Sequence, residues 1–282
     1  MIHHPETWQD ALELKAAEPD AVPLMGGTDL MVELNFGRRR PGQVIDLSHV
    51  ESLRGWDVDG EWVRIGAGLT YTRLIAEVGD RVPGLALASR TVGSPQIRNR
   101  GTVGGNLGAA SPAGDSHPPL LAAGAEVEVE SLRGVRRIPI DEFYVGPKRN
   151  ALEPDELIAA VHLRAQSGPQ QFSKIGTRNA MVISVCAFAV AIDGDRRRVG
   201  TGIGSAGPTP LRALEAEAFL TEVLNEREDW AFDAPLDLAT RARFGELVAS
   251  AARPIDDVRG TADYRRHALR VLAGRALDWV GN

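Results

Sequence analysis

The chain has 282 residues, 43% of them hydrophobic, so it can bury a sizeable core and is not a disordered chain. Its 32 Lys and Arg stand against 38 Asp and Glu, a net charge of −6, which excludes DNA or RNA as a main partner because phosphate neutralisation needs clustered cations. The single cysteine, Cys186, excludes a disulfide framework, and it excludes an iron–sulfur cluster held by this chain alone, which takes about four cysteine ligands.

The N-terminus, Met1-Ile2-His3-His4-Pro5-Glu6, has no basic region followed by an apolar core. No apolar run reaches the length of a membrane span, so a cytoplasmic location is expected. Thr7 to Ala17 has helical spacing, with Trp8, Ala11, Leu12 and Leu14 on one side. Ala21 to Met25 reads as a short strand that runs into Gly26-Gly27, and Asp29 to Phe36 as a helix opening from that turn. With a strand at Gln43 to Leu47 this predicts a small α/β unit with parallel pairing, residues 1–55. Arg38-Arg39-Arg40, like Arg196-Arg197-Arg198 later, lies beside a turn signal and reads as a solvated loop.

Residues 56–168 read as an α+β region with mostly antiparallel strands. Glu61 to Ile65 alternates; Thr70 to Glu77 and Leu85 to Val92 are helical. A second glycine loop follows, then an apolar helix within Ser111 to Ala122. Ala125 to Ser131 pairs with Val135 to Ile138 through Leu132-Arg133-Gly134, and Leu157 to Leu163 is a further strand. Ser167-Gly168-Pro169 marks a boundary. Residues 169–282 then predict a three-stranded antiparallel sheet over Phe172 to Ile175, Val182 to Ile192 and Arg197 to Ile203. Its hairpin turns at Asp193-Gly194. Helices follow over Leu211 to Asn225, Leu238 to Ser250 and Tyr264 to Trp279. Cys186 sits inside a buried-strand pattern and reads as a core thiol.

Two glycine pairs carry the chemistry. The first is in Leu24-Met25-Gly26-Gly27-Thr28-Asp29-Leu30, the second in Gly101-Thr102-Val103-Gly104-Gly105-Asn106-Leu107. Glycine lets backbone N–H groups approach and point at an oxyanion, and the helix after Gly27 would aim its positive end at the same place. Thr28 can donate to a phosphate oxygen, whereas Asp29 is better suited to cap the helix. Thr102, Asn106 and Ser111 add side-chain donors, and Asp115 can accept from ribityl or ribose hydroxyls. Gly202-Ile203-Gly204-Ser205-Ala206-Gly207 matches the dinucleotide fingerprint as a pattern. It follows a hairpin strand, and Pro208 and Pro210 delay the helix, so it reads as a turn. His117 reads as a helix-start residue. His3, His4, His162 and His267 are too scattered to suggest a metal site, and no nucleophile–base pair is legible.

Met25 to Leu30 and Arg98 to Leu107, continued by Ala110-Ser111-Pro112-Ala113-Gly114-Asp115, resemble the FAD-binding medium subunits of the molybdenum hydroxylases. That group contains xanthine dehydrogenase and carbon monoxide dehydrogenase. Pro154 to Ile158 and Lys174 to Arg178 extend the resemblance, which covers essentially the whole chain. It implies an α+β fold: two FAD-binding subdomains of the vanillyl-alcohol-oxidase-like class, plus a C-terminal domain with a three-stranded antiparallel sheet and helices. It further implies that Leu24 to Leu30 wrap the pyrophosphate and adenosine side of FAD. Thr102, Gly104, Gly105 and Asn106 would hold the other face of the diphosphate, and Ser111 and Asp115 would meet the ribityl–ribose hydroxyls. Ile158 or Ala159 would pack near adenine, and Lys174 would stand at the isoalloxazine edge, where a cation stabilises reduced flavin.

By the same resemblance, the chain passes electrons from [2Fe–2S] clusters on a small partner to FAD, and on to NAD or another acceptor. Molybdopterin would sit on a large partner, in a dimer of heterotrimers. Thr28 stands where some relatives carry His, so the FAD is expected to be dissociable. The single cysteine excludes the extra cluster that some relatives hold in this subunit, and Arg178 to Val182 departs from the usual run on the acceptor side. Two alternatives are a self-contained flavin reductase of the enolpyruvyl-sugar type and a non-redox nucleotide-binding module. The first needs a Ser or Cys proton donor with a Glu, an arrangement not evident here.

Overall fold

The computed structural model describes residues 1–165 and 168–280. The boundary expected at Ser167-Gly168-Pro169 therefore lies partly outside the described residues.

At the N-terminus, strands β1 (Ile2–His3), β2 (Val22–Leu24) and β3 (Val44–Asp46) form a parallel sheet in the order β1-β3-β2. Helices α1 (Trp8–Ala17) and α2 (Leu30–Asn35) return the chain between them. α1 starts at a capping box: Thr7 accepts from the Asp10 amide, and the Asp10 carboxylate accepts from the Thr7 amide. Ala11 and Leu12 then pack on Ile45, Leu47 and Val50. β1 carries no signal of its own, because two residues cannot display a period.

The middle region holds five antiparallel strands, ordered β4-β5-β10-β6-β7. They are β4 (Trp56–Asp59), β5 (Trp62–Gly66), β6 (Glu126–Ser131), β7 (Gly134–Pro139) and β10 (Leu157–Arg164). Between β5 and β6 run α3 (Tyr71–Arg73, continued by a π-helical turn at Leu74–Val78), α4 (Pro83–Thr91), α5 (Pro95–Arg98), α6 (Val103–Ala109) and α7 (His117–Ala123). The short elements α8 (Ile140–Phe143), β8 (Tyr144–Gly146) and β9 (Arg149–Asn150) lead into β10. β6 shows why the hairpin was legible. Val127 and Val129 are buried while Glu126, Glu128 and Glu130 are not, and Val127 pairs with Ile138.

The C-terminal sheet is β11 (Gln170–Ile175), β12 (Cys186–Asp193) and β13 (Arg198–Gly204), backed by α9 (Leu214–Arg227), α10 (Leu238–Ala251) and α11 (Ala262–Val280). Every residue of β12 is buried, because both faces are covered. Phe188, Val190 and Ile192 join the helical core, while Ala187, Ala189 and Ala191 pack with Ala88 and Ala122 of α4 and α7. Cys186 is fully buried, and burial pushes its thiol up to about 12, as befits a core residue.

Four expectations change. Val182–Val185 is not strand; β12 starts at Cys186. The hairpin turns over residues 194–197 rather than two residues, with Arg197 at φ 47°. α9 starts at Leu214, after Leu211 has bridged back to Ile203. The second glycine segment is not a loop: Gly104 and Gly105 lie in the first turn of α6.

Candidate functional site

A cavity of about 480 Å³ opens between the N-terminal sheet and the middle region, a size typical of small-ligand sites. Both glycine segments wall it. Leu24, Met25, Gly26, Gly27, Thr28, Asp29 and Leu30 line one side. Thr102, Gly104, Gly105, Asn106 and Ser111 line the other, and Ile158 closes one end.

In each pair, one glycine packs and the other faces the cavity. A methyl group on Gly26 would stand 2.1 Å from the Arg100 carbonyl oxygen, so the two segments touch here, backbone to backbone. One on Gly104 would stand 2.5 Å from the Ala67 Cβ. Gly27 instead has φ 73°, a left-handed turn that favours glycine. Gly105 is exposed to the cavity, and a Cβ there would meet only Thr102 Oγ1, at 3.1 Å.

Thr102 anchors the second wall. Its hydroxyl oxygen caps α6 by accepting from the Gly105 amide at 3.0 Å. Its expected donation to a ligand must therefore come from the hydroxyl hydrogen alone. Asp29 occupies the N-cap position of α2, yet its carboxylate makes no capping bond; its carbonyl accepts from the Val32 and Glu33 amides instead. The amides of Gly27, Thr28 and Asp29 find no acceptor among the described residues. α2 has only six residues, so its dipole adds little beside these loop amides.

Asp115 and Lys174 do not line the cavity. They form a buried ion pair, Nζ to Oδ2 at 2.6 Å. Ser184 Oγ donates to the other Asp115 oxygen at 2.7 Å, and Lys174 also donates to the Thr91 and Val182 carbonyls. Burial pushes the Asp115 carboxyl up, with Lys174 the main opposing influence. In this arrangement both charges are spent on each other, on the end of α4 and on the segment after β11. Ala159 is also turned away: it is buried, and its carbonyl accepts from the Ala67 amide. A register shift in β10 between Ile158 and Ala160 leaves Ile158 on the cavity side.

Several cavity residues had no sequence signal. Lys15, at the end of α1, donates to the Pro19 and Ala21 carbonyls, and burial lowers its ammonium pKa. Tyr71 lines the floor and hydrogen bonds Ser116 at 2.7 Å; burial raises its phenol far above the usual range. Leu53 and Leu152 add apolar wall toward Ile158. Behind that floor His117 opens α7, as expected, with Nδ1 2.7 Å from the Tyr144 hydroxyl. Complete burial drops its imidazole to about 3 and keeps it neutral.

The Gly202–Gly207 pattern lines no part of this cavity. Methyl groups on Gly200 and Gly202 would each fall 2.0 Å from a backbone oxygen of α7, those of Ala122 and Pro118. These glycines let α7 lie directly on β13.

Comparison with known proteins agrees with the architecture. The family of FAD binding domains in molybdopterin dehydrogenase matches residues 1–164, and the CO dehydrogenase flavoprotein C-terminal domain matches residues 171–280. A xanthine dehydrogenase FAD-binding subunit of Escherichia coli O157:H7 is 33% identical over 287 residues, covering 98% of this chain and 94% of that protein. The carbon monoxide dehydrogenase medium chain of Hydrogenophaga pseudoflava is 28% identical over 98% of this chain and 95% of its own length. A solved carbon monoxide dehydrogenase from Hydrogenophaga pseudoflava, lacking the Mo-pyranopterin moiety of its molybdenum cofactor, superposes with a TM-score of 0.88 at 26% identity, over 99% of this chain and 96% of that one. With matched domains spanning nearly its whole length, the chain belongs to the FAD-binding subunits of the molybdopterin-dependent dehydrogenases, of the xanthine and carbon monoxide dehydrogenase type.

Proposed function

We propose that the chain is the electron-transfer subunit of a multi-subunit molybdenum hydroxylase, receiving electrons from [2Fe–2S] clusters on a small partner and delivering them to NAD or another acceptor. Molybdopterin belongs on a large partner, in a dimer of heterotrimers. Residues 1–55 and 56–168 serve as the two FAD-binding subdomains and 169–282 as the C-terminal domain.

The observation that carries this reading is the pair of glycine segments, one following β2 of the N-terminal sheet and one in α6 of the middle region, that face one cavity. The residues present fit FAD. The unengaged amides of Gly27, Thr28 and Asp29 suit a diphosphate. The Asn106 side-chain oxygen is buried without a hydrogen-bond partner among the described residues, and it can accept from a ligand hydroxyl. Leu53, Leu152 and Ile158 provide an apolar seat for adenine. Bound FAD supplies the redox chemistry, taking up electrons singly and releasing them as a pair. This chain's residues position it and keep its phosphates from water. A flavin edge reaching Lys174 would compete with Asp115 for that ammonium.

Co-purification from the native source tests the assignment. The expected result is a yellow complex with a cysteine-rich small chain and a large molybdopterin-containing chain. A catalytically complete single chain overturns it in favour of a self-contained reductase.

A further inference from the structure

The parallel pairing of β1 with β3 sets His3 opposite Ile45, and so brings His4, the next residue, beside Asp46. The 3-10 turn that follows β3, Leu47–His49, carries His49 back to the same point. His4 Nδ1 lies 3.3 Å from Asp46 Oδ2, and the His4 and His49 rings are 6.2 Å apart. One ligand atom from each of the three residues falls within 4.8 Å of the others. Asp46 is already oriented: its Oδ1 accepts from the Ser48 amide at 3.0 Å, which leaves Oδ2 toward the two imidazoles.

We propose that His4, Asp46 and His49 form a Zn²⁺ site that staples β1 to the N-terminal sheet. Two imidazoles and one carboxylate suit zinc, whereas magnesium and calcium prefer all-oxygen sets. Three protein ligands leave a fourth tetrahedral position for water. The ligands come from two chain segments paired here through the two-residue strand β1, so a bound cation would add a further tie to that pairing. The other histidines are engaged elsewhere. His3 meets Gln43, His162 meets Glu128, and His267 meets Arg270. Sequence alone left His4 isolated, because nothing in it pointed to His49.

Zn²⁺ alone, titrated calorimetrically into the untagged full chain, tests the site. One equivalent should bind and raise the Tm. His4→Ala and His49→Ala should each weaken binding by at least about tenfold and abolish the Tm rise, with His49→Gln as a size-preserving second variant. His3→Ala and His267→Ala should bind as the parent does. An ordinary His4–Asp46 ion pair predicts no zinc uptake. That result, or zinc affinity retained by His4→Ala or by both His49 variants, overturns the proposal.

Discussion

An added methyl at Gly104 would press into Ala67 at 2.5 Å, whereas at Gly105 it would meet only the capping oxygen of Thr102, at 3.1 Å. The adjacent glycines therefore predict different failures. Gly104→Ala overpacks the seat of α6 and should cost about 1–3 kcal/mol, read as a lower Tm in the absence of flavin. Gly105→Val should keep the fold largely intact but lose FAD, because its side chain would project into the cavity. Visible absorbance after gel filtration reads the second effect. Normal FAD affinity in Gly105→Val would count against the diphosphate assignment. His117 gives a residue-scale prediction in pH. Its imidazole stays neutral in the fold down to about 3, while the unfolded chain takes up the proton near 6.5. Between those values the unfolded state binds more protons, so stability falls as pH falls, by up to about 1.4 kcal/mol per unit. Denaturant unfolding at pH 7 and pH 5 should show a smaller pH dependence in His117→Gln, which cannot take that proton.

α7 lies on β13 because glycines alternate along the strand, and this gives the element-scale test of the misleading fingerprint. Gly202→Ala would place a methyl 2.0 Å from the Pro118 carbonyl oxygen and should depress the Tm strongly while sparing the FAD affinity of the chain that folds. The reverse outcome, a normal Tm with lost nucleotide binding, would restore Gly202–Gly207 as a binding loop. How legible each element was follows from how its stability arises. α1, α10, α11 and the β6–β7 hairpin owe their positions to local periodicity and caps, and sequence places them well. The stretch at α6 reads as loop because glycine is a poor helix former. Its helix exists through Thr102's cap and the close packing of Gly104 on Ala67, a contact invisible along the chain. Val182 to Val185 extended the apolar run of β12, yet Lys174 and Asp115 hold the Val182 carbonyl and the Ser184 hydroxyl in another path. That same ion pair joins residues remote in sequence, so Asp115 and Lys174 could be singled out one by one but not as partners.

The molecule has three main apolar cores: one in the N-terminal sheet, one in the middle region and one among the C-terminal helices. They are not equally joined. Ala88, Ala122, Phe172 and the β12 alanines knit the middle region to the C-terminal sheet over a packed apolar face. The N-terminal core reaches the middle region through Ala67, Leu157 and Ile158, beside the cavity, and Gly26 abuts Arg100 across the cavity's edge. A ligand in that cavity adds contacts at the less extensive of the two junctions. FAD at a hundredfold excess over its Kd should therefore add about 2.7 kcal/mol of stability, if unfolded chain does not bind it. The gain in protection should be uneven. Local opening is governed by the least-supported contacts, so amide exchange in β2 and β3 should slow on FAD addition. Amides of β12, buried on both faces, should change least beyond the shift in global stability. A uniform slowing of exchange in every strand would mean that the N-terminal sheet never opens on its own, and that FAD does not act as the link between that sheet and the middle region.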